Sequence, residues 1–178
     1  MAIEFLDTIA SFMDKGGQVL WIILITTFIL WTLIIERFFF LKVIFPKLAQ
    51  QLVKSWHPET LPSRWHSEKI RRQKLSEMNE QLQQGVNLIK SLVALTPMLG
   101  LLGTVTGMIA VFDVMAMMGT GNARMMASGI SMATIPTMAG MVAAISGLYF
   151  SSRLEGRVKA ELEKLIQAMP YEHVASEG

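Results

Sequence analysis

The sequence predicts an all-α membrane protein with three transmembrane helices and long helical extensions on the cytoplasmic side. The first observation is compositional: the 178 residues are 52% hydrophobic and only 17% charged, below the roughly one quarter usual in soluble domains. The second is that three apolar runs are long enough to cross about 30 Å of hydrocarbon. The third is that basic residues gather in two of the segments those runs leave and avoid the others. A net charge of +2 gives no case for nucleic acid, and the absence of cysteine excludes disulfides, thiolate catalysis and cysteine metal sites. His57, His66 and His173 lack metal-ligand spacing, and no nucleophile–base pair stands out, so no enzyme is expected.

Taken in chain order, residues 1–15 place Ile3, Leu6, Ile9, Ala10 and Met13 on one helical face, with Glu4, Asp7, Ser11 and Asp14 mostly opposite. This predicts a short periplasmic interfacial helix ending at Gly16-Gly17, the alternative being a frayed tail. The early charges are acidic apart from Lys15, unlike a secretory signal, so the first apolar run reads as a retained anchor. Span one is placed at 16–41 around VLWIILITTFILWTLII, a bulky run with Trp21 and Trp31 and neither Gly nor Ala. Residues 42–91 are read as cytoplasmic. A helix continues past Pro46, an elbow follows at Pro58 and Pro62, and Leu75, Met78, Leu82, Val86, Ile89 and Val93 then mark one amphipathic helix running into span two.

Span two covers 92–118, with Pro97 inside it and Asp113 near its far end. Gly119-Thr120-Gly121-Asn122 make 119–124 a short periplasmic turn, so spans two and three form a tight hairpin. Span three covers 125–152, without a charge between Arg124 and Arg153. Leu154, Val158, Leu162, Leu165 and Met169 then carry a helix into the cytoplasmic segment 153–178.

Orientation follows from lysines and arginines. The middle segment has ten (Arg37, Lys42, Lys47, Lys54, Arg64, Lys69, Arg71, Arg72, Lys74, Lys90) and the C-terminal segment four (Arg153, Arg157, Lys159, Lys164). The N-terminal tail has only Lys15 and the hairpin turn only Arg124. The N-terminus is therefore expected outside and the C-terminus in the cytoplasm. The cluster Lys69, Arg71, Arg72 and Lys74 lies about 30 Å from the bilayer along a helix, and reads as a solvated or intersubunit ion-pair face. The many methionines suggest a copper path, but without cysteine or a histidine cluster adaptable packing is the better reading.

Spans two and three carry what span one lacks. Thr96, Gly100, Gly103, Gly107 and Ala110 fall within about 80° on a helical wheel, and Gly129, Ala133, Thr137, Gly140, Ala144, Gly147 and Ser151 do likewise. Small faces let transmembrane backbones approach closely. They either pack the hairpin onto itself or join copies into a homo-oligomeric ring with span one outside. The hydroxyls of Thr104, Thr134 and Thr137, on or beside these faces, favour the ring with a weakly polar lumen.

Residues 96–112, TPMLGLLGTVTGMIAVF, resemble the ExbB/TolQ signature APLLGLLGTVWGMIxxF, and residues 129–147, GISMATIPTMAGMVAAISG, resemble the third-span pattern GIAxALxxTAxGLxxAIPA. The Glu36-Arg37 pair closing span one also looks like this ExbB/TolQ/MotA family, and the chain is closest to a short ExbB. The resemblance implies a multi-pass protein of the bacterial inner membrane. It implies a pentamer around the transmembrane helices of an ExbD-type partner, and coupling of proton flow to a TonB-type protein that energises outer-membrane uptake of siderophores and iron. No cofactor is implied: the proton is the coupling ion, with room for a bound phospholipid. By position Thr104 and Thr137 match the pore-facing hydroxyls. Met132 stands where the family pattern usually carries Glu, so the inner face has no mid-membrane carboxylate. Asp113 lies near the external end, where Arg124 is expected to pair with it at the outer rim. The titrating carboxylate is then expected on the partner's helix. A TolQ-like envelope-maintenance role and a passive scaffold or channel without energy coupling are the alternatives. MotA-type torque generation is disfavoured, because MotA-type chains have four spans.

Overall fold

The computed structural model describes residues 2–56, 64–119 and 123–169, and every element among them is helical. Helix α1 covers Ala2–Phe39, a π-helical turn Phe40–Ile44 follows, and α2 covers Phe45–Lys54. Helix α3 covers Arg64–Met118 and α4 covers Ala123–Ala168. The expected elbow at Pro58 and Pro62, His57, His173 and residues 120–122 of the expected turn lie outside the described residues, as do the side chains of Ile3, Leu6, Asp7 and Ile9. Among the described residues, three helical stretches are long and apolar enough to cross a membrane: Gly16–Lys54, Glu68–Met117 and Arg124–Ala168. Each is about twice the ~20 residues that a span requires.

Local sequence explains the irregularities. Gly17, at φ 67° and ψ −168°, breaks α1, a left-handed φ that glycine adopts without a Cβ penalty. The π turn ends with Phe45 N–H donating to Phe40 O, directly before Pro46 in the first turn of α2. Proline has no N–H to give and its ring crowds the carbonyl four residues back, and the wider turn relieves both. Inside α3 Pro97 breaks the ladder, and the neighbouring Thr96 hydroxyl donates to Leu92 O at 2.8 Å.

The chain divides into two compact units, and α1, α3 and α4 each contribute a segment to both. The first comprises Met1–Thr32 and Ile89–Tyr149. Here α1 buries Leu20, Ile23 and Leu30, a face at helical spacing, while Trp21, Ile22, Ile25 and Phe28 stay exposed. That exposed face is what a helix against lipid tails shows, since hydrocarbon outside rewards apolar side chains there. The hydroxyls of Thr26 and Thr27 fold back onto Ile22 O and Ile23 O at 2.8 and 2.7 Å, leaving no bare donor.

The second unit comprises Leu33–Leu88 and Phe150–Gly178. Its core holds Leu41, Phe45, Met78, Leu82, Val86, Leu154, Val158, Leu165 and Met169. The α3 and α4 members recur every four or seven residues, the seam by which long helices pack side by side. The basic cluster separates into distinct roles. Arg71 donates from Nε to Met169 O at 2.6 Å and from Nη2 to Ile166 O at 3.0 Å, so its guanidinium closes the C-terminal end of α4, where exposed carbonyls and the helix dipole favour a cation. Arg72 pairs with Glu68 at 3.1 Å, and the Lys69 ammonium lies 5.1 Å from the Trp65 ring. Arg71 is spent inside the chain, while Lys69 and Arg72 stay at the exposed surface.

Candidate functional site

The two small-residue stripes meet each other. A methyl group built on Gly100 would lie 3.1 Å from Pro136 O and 3.1 Å from Thr137 Cα. On Gly107 it would lie 2.6 Å from Ala133 Cα, and on Gly140 2.9 Å from Thr96 O. Gly103 lies against Pro136, Gly129 against Val111, and Gly147 against Leu30 and Val93. Ala133 is buried and Ala144 half-buried. Of the two arrangements the sequence left open, the hairpin packing onto itself is therefore realised within the chain where Gly100, Gly107 and Gly140 face the opposite stripe. A tight hairpin brings them together at little entropic cost, and backbones at such separation leave no room for a second copy.

The three threonines divide as well. Thr137 donates to Gly100 O on α3 at 3.0 Å, so its hydroxyl ties the hairpin together. Thr104 donates to Leu101 O at 2.6 Å, and Thr134 to Ile130 O at 3.1 Å, each within its own helix. Thr134 is exposed and Thr104 half-buried. Both oxygens keep acceptor capacity after donating. Their hydroxyls therefore lie beside outward surfaces of α3 and α4 that also carry Leu101, Val105, Met138 and Met141.

Met132 points toward the break in α1, its Cε lying 3.4 Å from where a Gly17 Cβ would stand. Asp113 and Arg124 are both exposed, and no ion pair joins them among the described residues, so the outer-rim pair expected from the sequence is not formed. No cluster of three metal-ligating side chains occurs among the described residues.

One arrangement was not anticipated from the sequence. In the second unit Gly85 of α3 makes room for Arg37 of α1, since a Cβ there would overlap the guanidinium. Arg37 Nε is buried without a hydrogen-bond partner among the described residues, Nη1 reaches Gln81 O at 3.5 Å, and Cζ lies 5.3 Å from the Phe40 ring. The signal was present in the sequence, because Gly85 is the only glycine between Arg64 and Leu99.

A sequence profile of the MotA/TolQ/ExbB proton channel family matches residues 40–167. The chain belongs to this family. The match takes in α2 and the described hairpin. Among individual relatives, a putative biopolymer transport protein, ExbB-like 1, from Synechocystis is 46% identical over 70 residues, covering 38% of this chain and 28% of the relative. The biopolymer transport protein exbB1 of Vibrio cholerae is 36% identical over 93 residues, covering 50% of this chain and 41% of the relative. A putative ExbB homolog of Methanothermobacter thermautotrophicus is 31% identical over 84 residues, covering 47% and 29%. The matched segments thus span less than half the length of these relatives. With three apolar helices among the described residues and membership of a proton channel family, the chain is a multi-pass membrane protein of the MotA/TolQ/ExbB family.

Proposed function

We propose that this chain is an ExbB-like stator subunit of the bacterial inner membrane. With an ExbD-type single-span partner it couples the proton gradient, through a TonB-type protein, to outer-membrane uptake of siderophore-bound iron. The observation that carries the reading is a family match over hairpin spans without an acid: there is no Asp or Glu from Leu92 to Phe112, nor from Met125 to Ser152. Ionisable groups in a membrane are costly and mark ion paths, so a proton-driven device whose wall lacks one needs the carboxylate from a partner. In this reading five copies surround the partner's helix, with the N-terminus periplasmic and the basic segments cytoplasmic. The welded α3–α4 hairpin forms the wall, and the hydroxyls of Thr104 and Thr134, beside its outward surfaces, face the lumen. Asp113, exposed and near the end of α3, is a bystander. Each protonation neutralises the partner's acid and lets it pass the apolar wall, turning proton transfer into relative motion.

Deleting the chain is expected to abolish ferric-siderophore uptake, and a protonophore is expected to reproduce that loss in cells that keep it. Intact uptake with a leaky outer membrane would instead assign the TolQ-like role. A phenotype untouched by the protonophore would assign a passive scaffold.

A further inference from the structure

We propose that the break in α1 opens a water-filled cleft reaching from the N-terminal side of the membrane into the flank of the hairpin. Gly17 leaves the helical conformation at φ 67°. A break ends one ladder of hydrogen bonds and begins another, so carbonyls before it and N–H groups after it lose helical partners. At membrane depth such backbone is tolerated where it is buried in protein or lines a watery cavity.

The Gly16–Val19 stretch borders a cavity of about 190 Å³ whose other walls are Gly103, Thr106 and Gly107 of α3 and Met132 of α4. That is room for several waters, and the polar groups needed to hold them are present. The Gln18 amide both donates and accepts. Thr106 gives its proton to Leu102 O at 3.0 Å or Gly103 O at 3.1 Å and keeps its oxygen as an acceptor. Two glycines leave the α3 wall as bare backbone. A larger cavity in the same unit, about 880 Å³, makes the contrast: it is bounded by side chains such as Leu20, Phe28, Trp31 and Val142. There the Thr27 and Ser146 protons go to Ile23 O and Ala143 O. An apolar cavity of that kind excludes water, and the small polar cleft admits it.

Gly107 lies eleven residues before the end of α3 and Met132 nine after the start of α4, so the cleft sits about 14–16 Å along the hairpin from its turn. Gly16-Gly17 also opens the first apolar span, so water there wets the flank of the hairpin from the outer end of the membrane layer. This deepens the stator reading, on which its use as a proton entry rests, but the cleft itself is tested separately.

The chain has no cysteine, so single-cysteine variants report cleanly. Gln18→Cys, Thr106→Cys and Met132→Cys line the cleft, and Val105→Cys is an exposed apolar position beside it on α3. Each is made in the full chain in native membranes, checked for normal level and insertion, and treated with a membrane-impermeant charged methanethiosulfonate from either face. A thiol in a dry site stays protonated and unreactive, so the cleft positions are expected to react about 100-fold faster than Val105→Cys, from the N-terminal side only. Thr106→Cys and Met132→Cys as slow as Val105→Cys, or reaction from the opposite face, overturns the proposal. Reactive cleft positions in a protein whose phenotype ignores protonophores would leave the cleft standing and remove the stator. Unreactive ones in a working stator would do the reverse.

Discussion

The hairpin weld gives the sharpest stability test. In Gly107→Ala the new methyl carbon would stand 2.6, 2.7 and 2.8 Å from Ala133 Cα, N and Cβ. Non-bonded carbons prefer about 3.5–4.0 Å, so α3 and α4 must part locally by about 1 Å, which forfeits a quarter to a half of each nearby dispersion contact. The obstruction is largely backbone, which cannot swing aside as a side-chain tip does. Overpacking of this kind costs about 1–3 kcal/mol. Gly156→Ala is the control: it lies within α4, and a methyl group there would meet no described atom within 4 Å beyond its own helical surroundings. Replacing a helical glycine by alanine gains about 0.5–1 kcal/mol. That gain applies to both helical positions and cancels, so the two variants are expected to differ by the overpacking cost, about 1–3 kcal/mol. Unfolding in mixed micelles, followed by tryptophan fluorescence, measures this, and adding Ala133→Gly to Gly107→Ala should recover part of the loss. A Gly107→Ala protein as stable as Gly156→Ala would show that the stripes do not face each other.

Further expectations concern single side chains. Thr137→Val removes the hydroxyl bond to Gly100 O and is expected to cost about 0.6–1.7 kcal/mol in the same micelle assay, whereas Thr134→Val, losing only a bond within its own helix, should be close to neutral. Arg71→Gln strips a charged fork from the carbonyls of Ile166 and Met169. Hydrogen exchange in the last turn of α4 should accelerate about tenfold, equivalent to ~1.4 kcal/mol, with Arg71→Lys between the two. Gly85→Leu evicts Arg37 from α3, and a thermal shift of the purified protein should register a loss that Gly85→Ser reduces.

Much of the fold was legible because it follows from chain length and hydrocarbon thickness. The run from Val19 to Ile35 is too long and too apolar for anything but a buried or spanning helix, and Gly16-Gly17 marked the place where α1 breaks. Pro46 sits beside an irregular turn for reasons its ring makes plain, although the sequence did not foretell that the turn would be π-helical. The small stripes were legible as packing faces, but their partner was not. A face of Gly100, Gly103 and Gly107 records how closely a backbone comes, not whether that backbone belongs to the same chain. Thr137 shows the same ambiguity in hydrogen-bond form: its proton needed an acceptor, and the acceptor on offer was Gly100 O of the neighbouring helix. Arg71 sat in a basic cluster whose meaning depended on where α4 ends, a long-range fact that local charge patterning does not carry.

The central claim is that this chain is a wall which moves protons only with an acid lent by its partner. Proton flux into liposomes under an imposed gradient tests it directly, comparing the chain alone, the complex with the proposed ExbD-type single-span partner, and the complex with that partner's membrane carboxylate amidated. The account predicts flux in the second case alone, unchanged by Asp113→Asn. Robust flux through the unaccompanied chain, or its loss in Asp113→Asn with assembly intact, would contradict it.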